Sequence, residues 1–286
     1  AVWAPGVSNR IEAMNYVNEL IARELEDLQP RAASRRRWLD LGCGVGGSLA
    51  YLADRVPGDY LGITISERQA ALAEDFLHSD DADTSFSIIR GDFCNPGALR
   101  DHAGAEGLDG AHMIESFIHA TDPRTLLESV GATLRPDGLF IIVDDFLTAK
   151  GARLLGAQAY ESVDGPVPQS QAAEHSAHLP LRKAERKNRE RLLEFIRGWH
   201  VQNVRSIAQT RALAESFGLR LLRDHDLTPF LELDRPRDRF IRLAVGIGRL
   251  LPLRGALWDN LLGGNAVQQC LKRRLIEYRV LVFQKA

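Results

Sequence analysis

The sequence has few of the residues that would indicate a cross-linked, metal-binding or membrane-spanning chain. Its 286 residues include three cysteines, Cys43, Cys94 and Cys270, which lie far apart and form no C-x-x-C pair. We therefore expect reduced thiols in a cytoplasmic protein, and no metal site. No apolar run reaches the length needed to span a bilayer, and the N-terminal stretch lacks the pattern of a signal peptide.

The chain also lacks an excess of either charge. Lysine and arginine together number 36 against 38 aspartates and glutamates, which gives a formal net charge of −2. No global field would therefore attract a nucleic acid or an anionic membrane. We expect no nucleic-acid binding and no stable membrane insertion. The cations are nearly all arginine, a bias that indicates a GC-rich bacterial genome.

What the sequence does contain is a regular alternation of strand and helix patterns. Apolar residues at helical spacing predict an amphipathic helix over 8–28. From residue 37 to residue 146, short apolar segments alternate with helical ones. The predicted strands are Arg37–Leu41, Asp59–Ile65, Phe86–Arg90, Asp109–Ile114 and Leu139–Asp144. This alternation is typical of α/β proteins with a doubly wound parallel sheet, in which the loops after the strands share one ligand-binding edge.

After Asp145 the pattern changes and predicts additions to this sheet. Residues 150–205 are polar and helical, and residues 228–275 form a helical insertion broken by prolines and glycines. Two late strands, Leu219–Leu227 and Ile276–Gln284, would complete a mostly parallel sheet of seven strands. The expected organisation is an N-terminal helical segment over 1–34, a ligand-binding core over 35–149, a helical lid over 150–205, and the end of the sheet over 206–286.

The main functional signal is the glycine turn after the first strand. It reads Asp40-Leu41-Gly42-Cys43-Gly44-Val45-Gly46-Gly47. Closely spaced glycines let backbone N–H groups approach a ligand with no Cβ in the way. The spacing satisfies the G-x-G-x-x-G dinucleotide fingerprint, but the second strand does not end in the acid that would bind the NAD ribose. Asp40 instead suits an amino group, which S-adenosylmethionine carries in its methionine part and NAD lacks near its pyrophosphate.

This turn is the first of several motifs that resemble those of the class I S-adenosylmethionine-dependent methyltransferases. The others are Gly62-Ile63-Thr64-Ile65-Ser66-x-x-Gln69, Gly91-Asp92-Phe93, Glu115-Ser116-x-x-His119-x-x-Asp122 and Leu134-Arg135-Pro136-Asp137-Gly138. Together they cover about residues 35–146 in the order that the family has. They are most similar to the small-molecule subgroup that acts on sterols, tocopherols and natural products. The resemblance implies a Rossmann-like methyltransferase fold and S-adenosyl-L-methionine as cofactor.

The resemblance also assigns residues to the cofactor site. They are Asp40, Gly42, Cys43, Gly44, Gly46, Thr64, Ile65, Gln69, Gly91, Asp92, Phe93, Glu115 and His119. Asp40 would lie near the amino group, and Asp92 would accept an adenine N–H with Phe93 beside the ring. Gly46, Asp92 and Phe93 also have purely structural interpretations, as packing, turn and core residues.

For the chemistry, the best general-base candidate is His119, which follows the fourth strand at the ligand edge. In the sugar O-methyltransferases that the chain resembles, an acid before a phenylalanine pairs with this histidine, which favours Asp145. Since successive strand residues face opposite sides, one of Asp144 and Asp145 is expected to face the substrate. Glu115 would close the cofactor pocket beside the transferred methyl. A histidine that only shapes the pocket and a carboxylate that only caps a loop are the alternatives.

The acceptor is less clearly indicated. Tyr160, Glu161, Trp199 and His200 are the candidates to line a lid, where aromatic side chains and a carboxylate would suit an apolar, polycyclic or prenyl substrate. Packing or surface positions are the alternative for each. The arginine-rich segments over 182–187 and 234–239 mix both charges and are interpreted as solvated faces, or as a phosphate clamp.

The sequence therefore predicts an S-adenosylmethionine-dependent methyltransferase of a small, largely apolar natural-product or isoprenoid-type metabolite, acting at oxygen with His119 as base. Carbon methylation of a prenyl or prenyl diphosphate substrate is the first alternative. A protein that binds the cofactor without methyl transfer, or an NAD-linked oxidoreductase, is the alternative from another class. The expected partner is a small-molecule acceptor, and a homodimer is compatible with the sequence.

Overall fold

The chain is organised around one seven-stranded sheet, seen in a computed structural model that describes residues 1–28, 35–78, 81–104, 106–156, 181–233, 235–248 and 255–286. The strands are β1 (Arg36–Leu41), β2 (Gly58–Thr64), β3 (Ser85–Arg90), β4 (Leu108–Ile114), β5 (Leu134–Leu147), β6 (Leu219–Asp226) and β7 (Ile276–Lys285). Their spatial order is β3-β2-β1-β4-β5-β7-β6. Strands β1 to β5 are parallel, and β7 is antiparallel to both β5 and β6. The predicted doubly wound, mostly parallel fold is confirmed.

Helices cover both faces of this sheet. In chain order they are α1 (Arg10–Asp27), α2 (Gly47–Ala53), α3 (Glu67–Phe76), α4 (Pro96–Ala103), α5 (Pro123–Thr133), α6 (Ala149–Leu154), α7 (Lys183–Gly198), α8 (Ile207–Glu215), α9 (Pro236–Gly248) and α10 (Ala256–Lys272). Capping side chains fix where several of them begin. Asn9 accepts the N–H of Glu12 at α1, and Ser66 accepts the N–H of Gln69 at α3.

The sheet separates two apolar clusters. One cluster joins the inner faces of α1, α7 and α10 to one side of the strands, and it includes Val143. The other packs α4, α5 and α8 against the opposite side and includes Ile142. Neighbouring residues of β5 thus enter different clusters, as the period of two in a strand requires. This alternation sets which side of the sheet each residue at the end of β5 faces.

Strand β5 is longer than the sequence predicts. The expected strand was Leu139–Asp144, whereas the observed one runs from Leu134 to Leu147. Its C-terminal half is extended because residues from Leu139 to Leu147 pair with β7 in continuous antiparallel register. The extension brings Asp145 into the strand, where it pairs with Tyr278 of β7, whereas the pairing with β4 ends at Val143.

The predicted lid segment is described in two pieces. Helix α6 follows β5 directly, and α7 packs against α10 and against the sheet. Tyr160 and Glu161 lie outside the described residues. In the part of the chain that is described, none of the helices combines the length and the apolar character that crossing a membrane requires.

Candidate functional site

The residues assigned to the cofactor lie at one edge of the sheet, where β1 to β4 end. Asp40 is next to last in β1, Thr64 ends β2, Gly91 follows β3 and Glu115 follows β4. The turns are tied to the neighbouring strands by the backbone. The N–H of Gly91 donates to the carbonyl of Thr64 at 3.0 Å, and that of Glu115 donates to the carbonyl of Val143 at 2.8 Å. The strand pattern in the sequence is therefore sufficient to bring these turns together.

The glycine turn is held open by left-handed backbone conformations. Gly42, Gly44 and Gly46 have φ angles of +103°, +56° and +84°, whereas Gly47 is the ordinary first residue of α2. A Cβ on Gly42 would lie 2.6 Å from the Cβ of Ser116, so this position must be glycine for packing. A Cβ on Gly44 would meet no protein atom within 4 Å. Gly44 therefore combines a conformation suited to glycine with open space beside it, as a ligand cradle requires.

Beneath this turn, Asp40 is part of a buried polar chain that the sequence did not reveal. Trp38 Nε1 donates to His112 Nδ1 at 2.8 Å, and His112 Nε2 lies 3.3 Å from Asp40 Oδ2. Because Nδ1 accepts a hydrogen bond, Nε2 carries the ring proton. It lies within ion-pair distance of the carboxylate but has no hydrogen-bond partner among the described residues. His112 is fully buried and Asp40 is 3% exposed. Gly110 makes room for this chain, since a Cβ there would lie 2.2 Å from the Trp38 ring.

The thiol in the turn is not a reactive group. Burial, followed by the nearby charge of Asp40, raises the pKa of Cys43 to about 12. The side chain also fills the space beside Gly62, where a Cβ would lie 2.7 Å from the sulfur. Cys43 therefore packs the turn against β2 and remains a thiol at neutral pH.

The ends of β2 and β3 present both polar and apolar groups. Thr64 Oγ1 donates to Gln69 Oε1 at 2.9 Å, which ties the strand end to the first turn of α3. Ile65, the next residue, is 71% exposed, whereas Phe93 is buried and only 9% exposed. Asp92 is exposed and accepts a backbone N–H in its own turn at 2.8 Å. The turn role that competed with ligand binding for Asp92 is thus observed, and one carboxylate oxygen remains for a ligand.

A cavity of about 370 Å³ opens beside Glu115 and the end of β5. Its apolar walls include Met14, Val17, Ile114, Ile118, Val267 and Leu271, and its polar and charged ones include Ser48, Glu115, Asp145, Glu232, Gln268 and Tyr278. Glu115 has a left-handed φ of +52°, and its Oε1 accepts the Tyr278 hydroxyl at 3.1 Å. Burial, then the charge of Glu115, raises the pKa of Tyr278 well above its usual range. Tyr278 therefore remains a hydrogen-bond donor at the cavity wall.

The two aspartates at the end of β5 differ sharply. Asp144 is 1% exposed and accepts two backbone N–H groups, from Ile118 at 3.0 Å and from Asp145 at 2.8 Å. Burial raises the pKa of Asp144 to about 7 although these hydrogen bonds act to lower it. Asp145 is half-buried at the cavity, and its buried Oδ1 has no hydrogen-bond partner among the described residues. Burial, reinforced by the charge of Asp144, raises the pKa of Asp145 well above its ordinary value.

His119 points to a different neighbour from the one that the sequence suggested. Its Nδ1 lies 3.3 Å from the backbone carbonyl of His200, and no hydrogen bond joins it to Asp145 in the described structure. The expected pair is therefore not formed. Asp145 lies opposite Tyr278 in the pairing of β5 with β7, and the short helix Phe117–His119 leaves the imidazole at the carbonyl of His200. Burial lowers the pKa of His119, and the carbonyl of His200 opposes that shift.

The remaining substrate candidates divide between the cavity and its surroundings. Trp199 lines the main cavity and a neighbouring one of about 260 Å³, whereas His200 lines a third of about 330 Å³. Arg235 also reaches the main cavity but is paired with Asp238 at 3.1 Å. This existing ion pair weighs against the phosphate-clamp interpretation for Arg235. Among the described residues, no group of three or more potential ligand side chains is placed to hold a metal ion.

Comparison with known proteins gives a family for this arrangement. A family model described as "Methyltransferase domain" matches residues 14–223. An O-methyltransferase, rstn1, from Aspergillus nomiae is 32% identical over 49% of this chain and 60% of its own length. A 24-methylenesterol C-methyltransferase 2 from Oryza sativa subsp. japonica is 31% identical over 48% of this chain and 35% of its own length. The chain thus spans about half the length of the curated relatives it matches.

A solved structure shows the same fold over the whole chain. The cyclopropane synthase MmaA2 from Mycobacterium tuberculosis superimposes with a TM-score of 0.65. The alignment covers 100% of this chain and 88% of that one at 17% sequence identity. At this identity the likeness establishes the architecture, and the chemistry must be argued from the residues of this chain.

Proposed function

The chain belongs to the methyltransferase domain family of class I S-adenosylmethionine-dependent enzymes, and on that premise we propose that it methylates a small, largely apolar acceptor at oxygen. The walls of the cavity mix aliphatic and methionine side chains with polar and charged ones, so the site suits an acceptor that joins an apolar body to a polar group. The O-methyltransferase rstn1 and the sterol C-methyltransferase are consistent with an acceptor of the natural-product or isoprenoid type.

S-adenosylmethionine is the cofactor of this family, and when bound it supplies a methyl group on a sulfonium, which departs as a neutral thioether. The glycine turn fits such a group because the space beside Gly44 is open and its backbone is already in the left-handed conformation. Asp40 would hold the amino group. Asp92 and the apolar side chains of Ile65 and Phe93 would hold the adenosine part.

The observation that carries oxygen methylation is the orientation of His119. A carbonyl oxygen only accepts hydrogen bonds, so the contact with the His200 carbonyl places the ring proton of His119 on Nδ1. Nε2 is then left with its lone pair. The lowered pKa keeps this imidazole neutral at physiological pH, as a general base must be. His119 would take the hydroxyl proton at Nε2 while the acceptor oxygen forms its new bond to the methyl carbon.

The side chains around the cavity would exclude water and orient the acceptor. Gln268 offers a donor for a polar substituent, and the Tyr278 hydroxyl, whose one proton goes to Glu115, offers an acceptor. The aliphatic side chains would contact the apolar part of the acceptor. Positioning contributes much of the rate in such a displacement, because the reacting groups must be in line. The carboxyls of Glu115 and Asp145 lie at the same wall.

A direct test is incubation with labelled S-adenosylmethionine and a panel of hydroxylated aromatics, glycosides and prenyl diphosphates, with products identified by mass. Oxygen methylation predicts a labelled hydroxylated acceptor whose formation falls about 10²–10⁴-fold in His119→Gln. The matched control is His225→Gln, since His225 is exposed on β6 away from the site. Loss of activity in both variants, or in neither, would contradict the assigned role.

Carbon methylation is the second candidate, and it is favoured by the buried Oδ1 of Asp145, which has no hydrogen-bond partner in the part of the chain that is described. A carbon acceptor has no hydroxyl proton to lose at the start, so its methylation would survive His119→Gln. Asp145, poised by its raised pKa, would instead take the proton that leaves the methylated carbon. Activity that survives His119→Gln and is lost in Asp145→Asn would select this candidate. A thermal shift with NAD and none with S-adenosylhomocysteine would contradict both.

A further inference from the structure

Helix α9 carries an apolar stripe on its outer surface that no described residue covers. Phe240, Leu243 and Ile247 are 74%, 61% and 55% exposed. Their spacing of three and four residues places them side by side on one face of the helix. These three residues are here called the α9 stripe. A solvent-facing side of a surface helix is ordinarily polar, so a continuous apolar stripe there indicates a contact surface.

The opposite face of α9 holds the helix on the protein. Asp238 and Val245 are 3% and 2% exposed, and α9 packs against α10. Asp238 is also paired with Arg235 at 3.1 Å, which fixes the N-terminal turn. The core of the protein therefore uses one face of α9, and the α9 stripe is a second apolar face that points away from it.

Arginines flank the α9 stripe. Arg237, Arg239 and Arg242 are all exposed, although Arg237 also lies 3.7 Å from Asp238, the one acid of the helix, which is buried on the inner face. With three arginines against one aspartate, α9 carries a net positive charge even though the chain as a whole has a net charge of −2. We propose that the α9 stripe and its flanking arginines dock on an anionic lipid surface, with the helix lying in the plane of the interface.

The chemistry of the surface favours lipid over a second copy of the chain. Apolar side chains between cations are the pattern of helices that lie in the headgroup region, where the apolar groups enter the acyl boundary and the cations meet lipid phosphates. Two copies that met symmetrically through the α9 stripe would place their arginines against one another. Such like-charge contacts oppose self-association, whereas an anionic bilayer complements both features.

Helix α9 lies next to the cavities, so docking through the α9 stripe would affect access to them. Its inner face, through Asp238 and Ile241, lines the cavity of about 260 Å³ that shares Trp199 with the main cavity. A protein docked through the α9 stripe would therefore hold the wall of its site close to the bilayer. An apolar acceptor dissolved in lipid would have a short path to that wall. The docking itself does not depend on which reaction the site performs.

Vesicle binding by the purified full chain tests the proposal. We expect the protein to float with vesicles of phosphatidylcholine and phosphatidylglycerol, to bind phosphatidylcholine alone weakly, and to lose binding to the mixed vesicles as salt is added. The double variant Phe240→Ser/Leu243→Ser is expected to weaken binding to the mixed vesicles at least about tenfold. Both positions are exposed, so the fold should be kept, and the thermal unfolding midpoint checks this.

A matched control is available on α3, which exposes one phenylalanine and one leucine of its own. Leu72 and Phe76 are 47% and 55% exposed, and Leu72→Ser/Phe76→Ser should bind vesicles as the unaltered chain does. Equal loss in both double variants, or no binding to anionic vesicles by the unaltered chain, would overturn the proposal. Concentration-dependent self-association in sedimentation that the α9 variant abolishes would also overturn it, and would assign the stripe to a second copy.

Discussion

His112 Nε2 lies 3.3 Å from Asp40 Oδ2, deep under the glycine turn, while its other ring nitrogen accepts the indole N–H of Trp38. The two residues are direct neighbours in the parallel pairing of β1 with β4. Trp38 fixes the tautomer of His112, which leaves the Nε2 proton beside the carboxylate of Asp40, within ion-pair distance but without a hydrogen bond. His112 is thus a positioning residue, since it acts on the cofactor site through Asp40 and belongs to none of the recognisable motifs.

Replacing His112 should weaken the binding of the amino-acid part of the cofactor at Asp40. We expect His112→Leu to weaken S-adenosylhomocysteine binding about tenfold, because it leaves the buried carboxylate of Asp40 without the imidazole N–H that lies 3.3 Å away. Methylthioadenosine, which lacks the amino-acid part, should bind both proteins alike. Calorimetry with the two ligands checks the difference. His112→Gln, whose amide can donate, should restore part of the affinity, and an equal loss for both ligands would contradict the positioning role.

Gly44 and Gly47, which are three residues apart, give a matched pair of substitutions that tests the ligand cradle at the glycine turn. Gly44→Ala should cost about 1–2 kcal/mol of unfolding free energy, because its φ of +56° disfavours a side chain, and should lower S-adenosylhomocysteine affinity further by filling the open space. Gly47→Ala lies at the start of α2 with nothing within 4 Å, and should leave both quantities near their original values. Urea unfolding and calorimetry check this, and equal cofactor affinity in the two variants would refute the cradle.

The sequence was a good guide to the fold because each βα unit carries its own signal. The order of strands and helices, the glycine turn and the common ligand edge all follow from patterns within single segments. The pairing of His112 with Asp40 does not, since it depends on the register between β1 and β4. Tyr278 was missed for the same reason, because the antiparallel register of β7 places it opposite Asp145.

The predicted pair of His119 and Asp145, which the structure does not form, also shows that contacts between strands cannot be predicted from single segments. The resemblance that suggested it concerns residues just after two neighbouring strands. The actual distance depends on how far β5 continues along β7 and on the turn of the short helix that carries His119. His200 was among the candidates, but its contribution is a backbone carbonyl, which side-chain patterns do not reveal.

The decrease of kcat/KM at low pH should reflect the protonation of His119. Burial lowers its pKa below the ordinary value of 6.5, so the neutral base is present throughout the neutral range and is lost only as the pH falls through the lowered pKa. We expect kcat/KM for oxygen methylation to fall below pH 6.5 with a midpoint on the acid side of that value. His119→Gln should reduce the rate and remove this limb. A limb with its midpoint above 6.5, or one that persists in the variant, would contradict a base role.

Asp145 makes the stability of the protein depend on pH in a predictable direction. Its pKa in the folded state is raised well above 3.8, so between these values the folded chain binds more protons than the unfolded chain. Its contribution to the unfolding free energy therefore falls as pH rises through that window. Asp145→Asn removes a carboxyl whose ionised form is disfavoured by burial and by the charge of Asp144, and should therefore stabilise the protein more at pH 8 than at pH 5.

Its neighbour provides the control. Asp144→Asn should destabilise the protein, because an amide has one acceptor oxygen where the carboxyl now accepts the N–H groups of both Ile118 and Asp145. Urea unfolding at pH 5 and pH 8 separates the two aspartates. Destabilisation by Asp145→Asn at pH 8 would mean that its carboxylate has a partner in solution. The cavity would then hold a cation beside Asp145, since a group that binds the ionised form lowers the pKa that burial has raised.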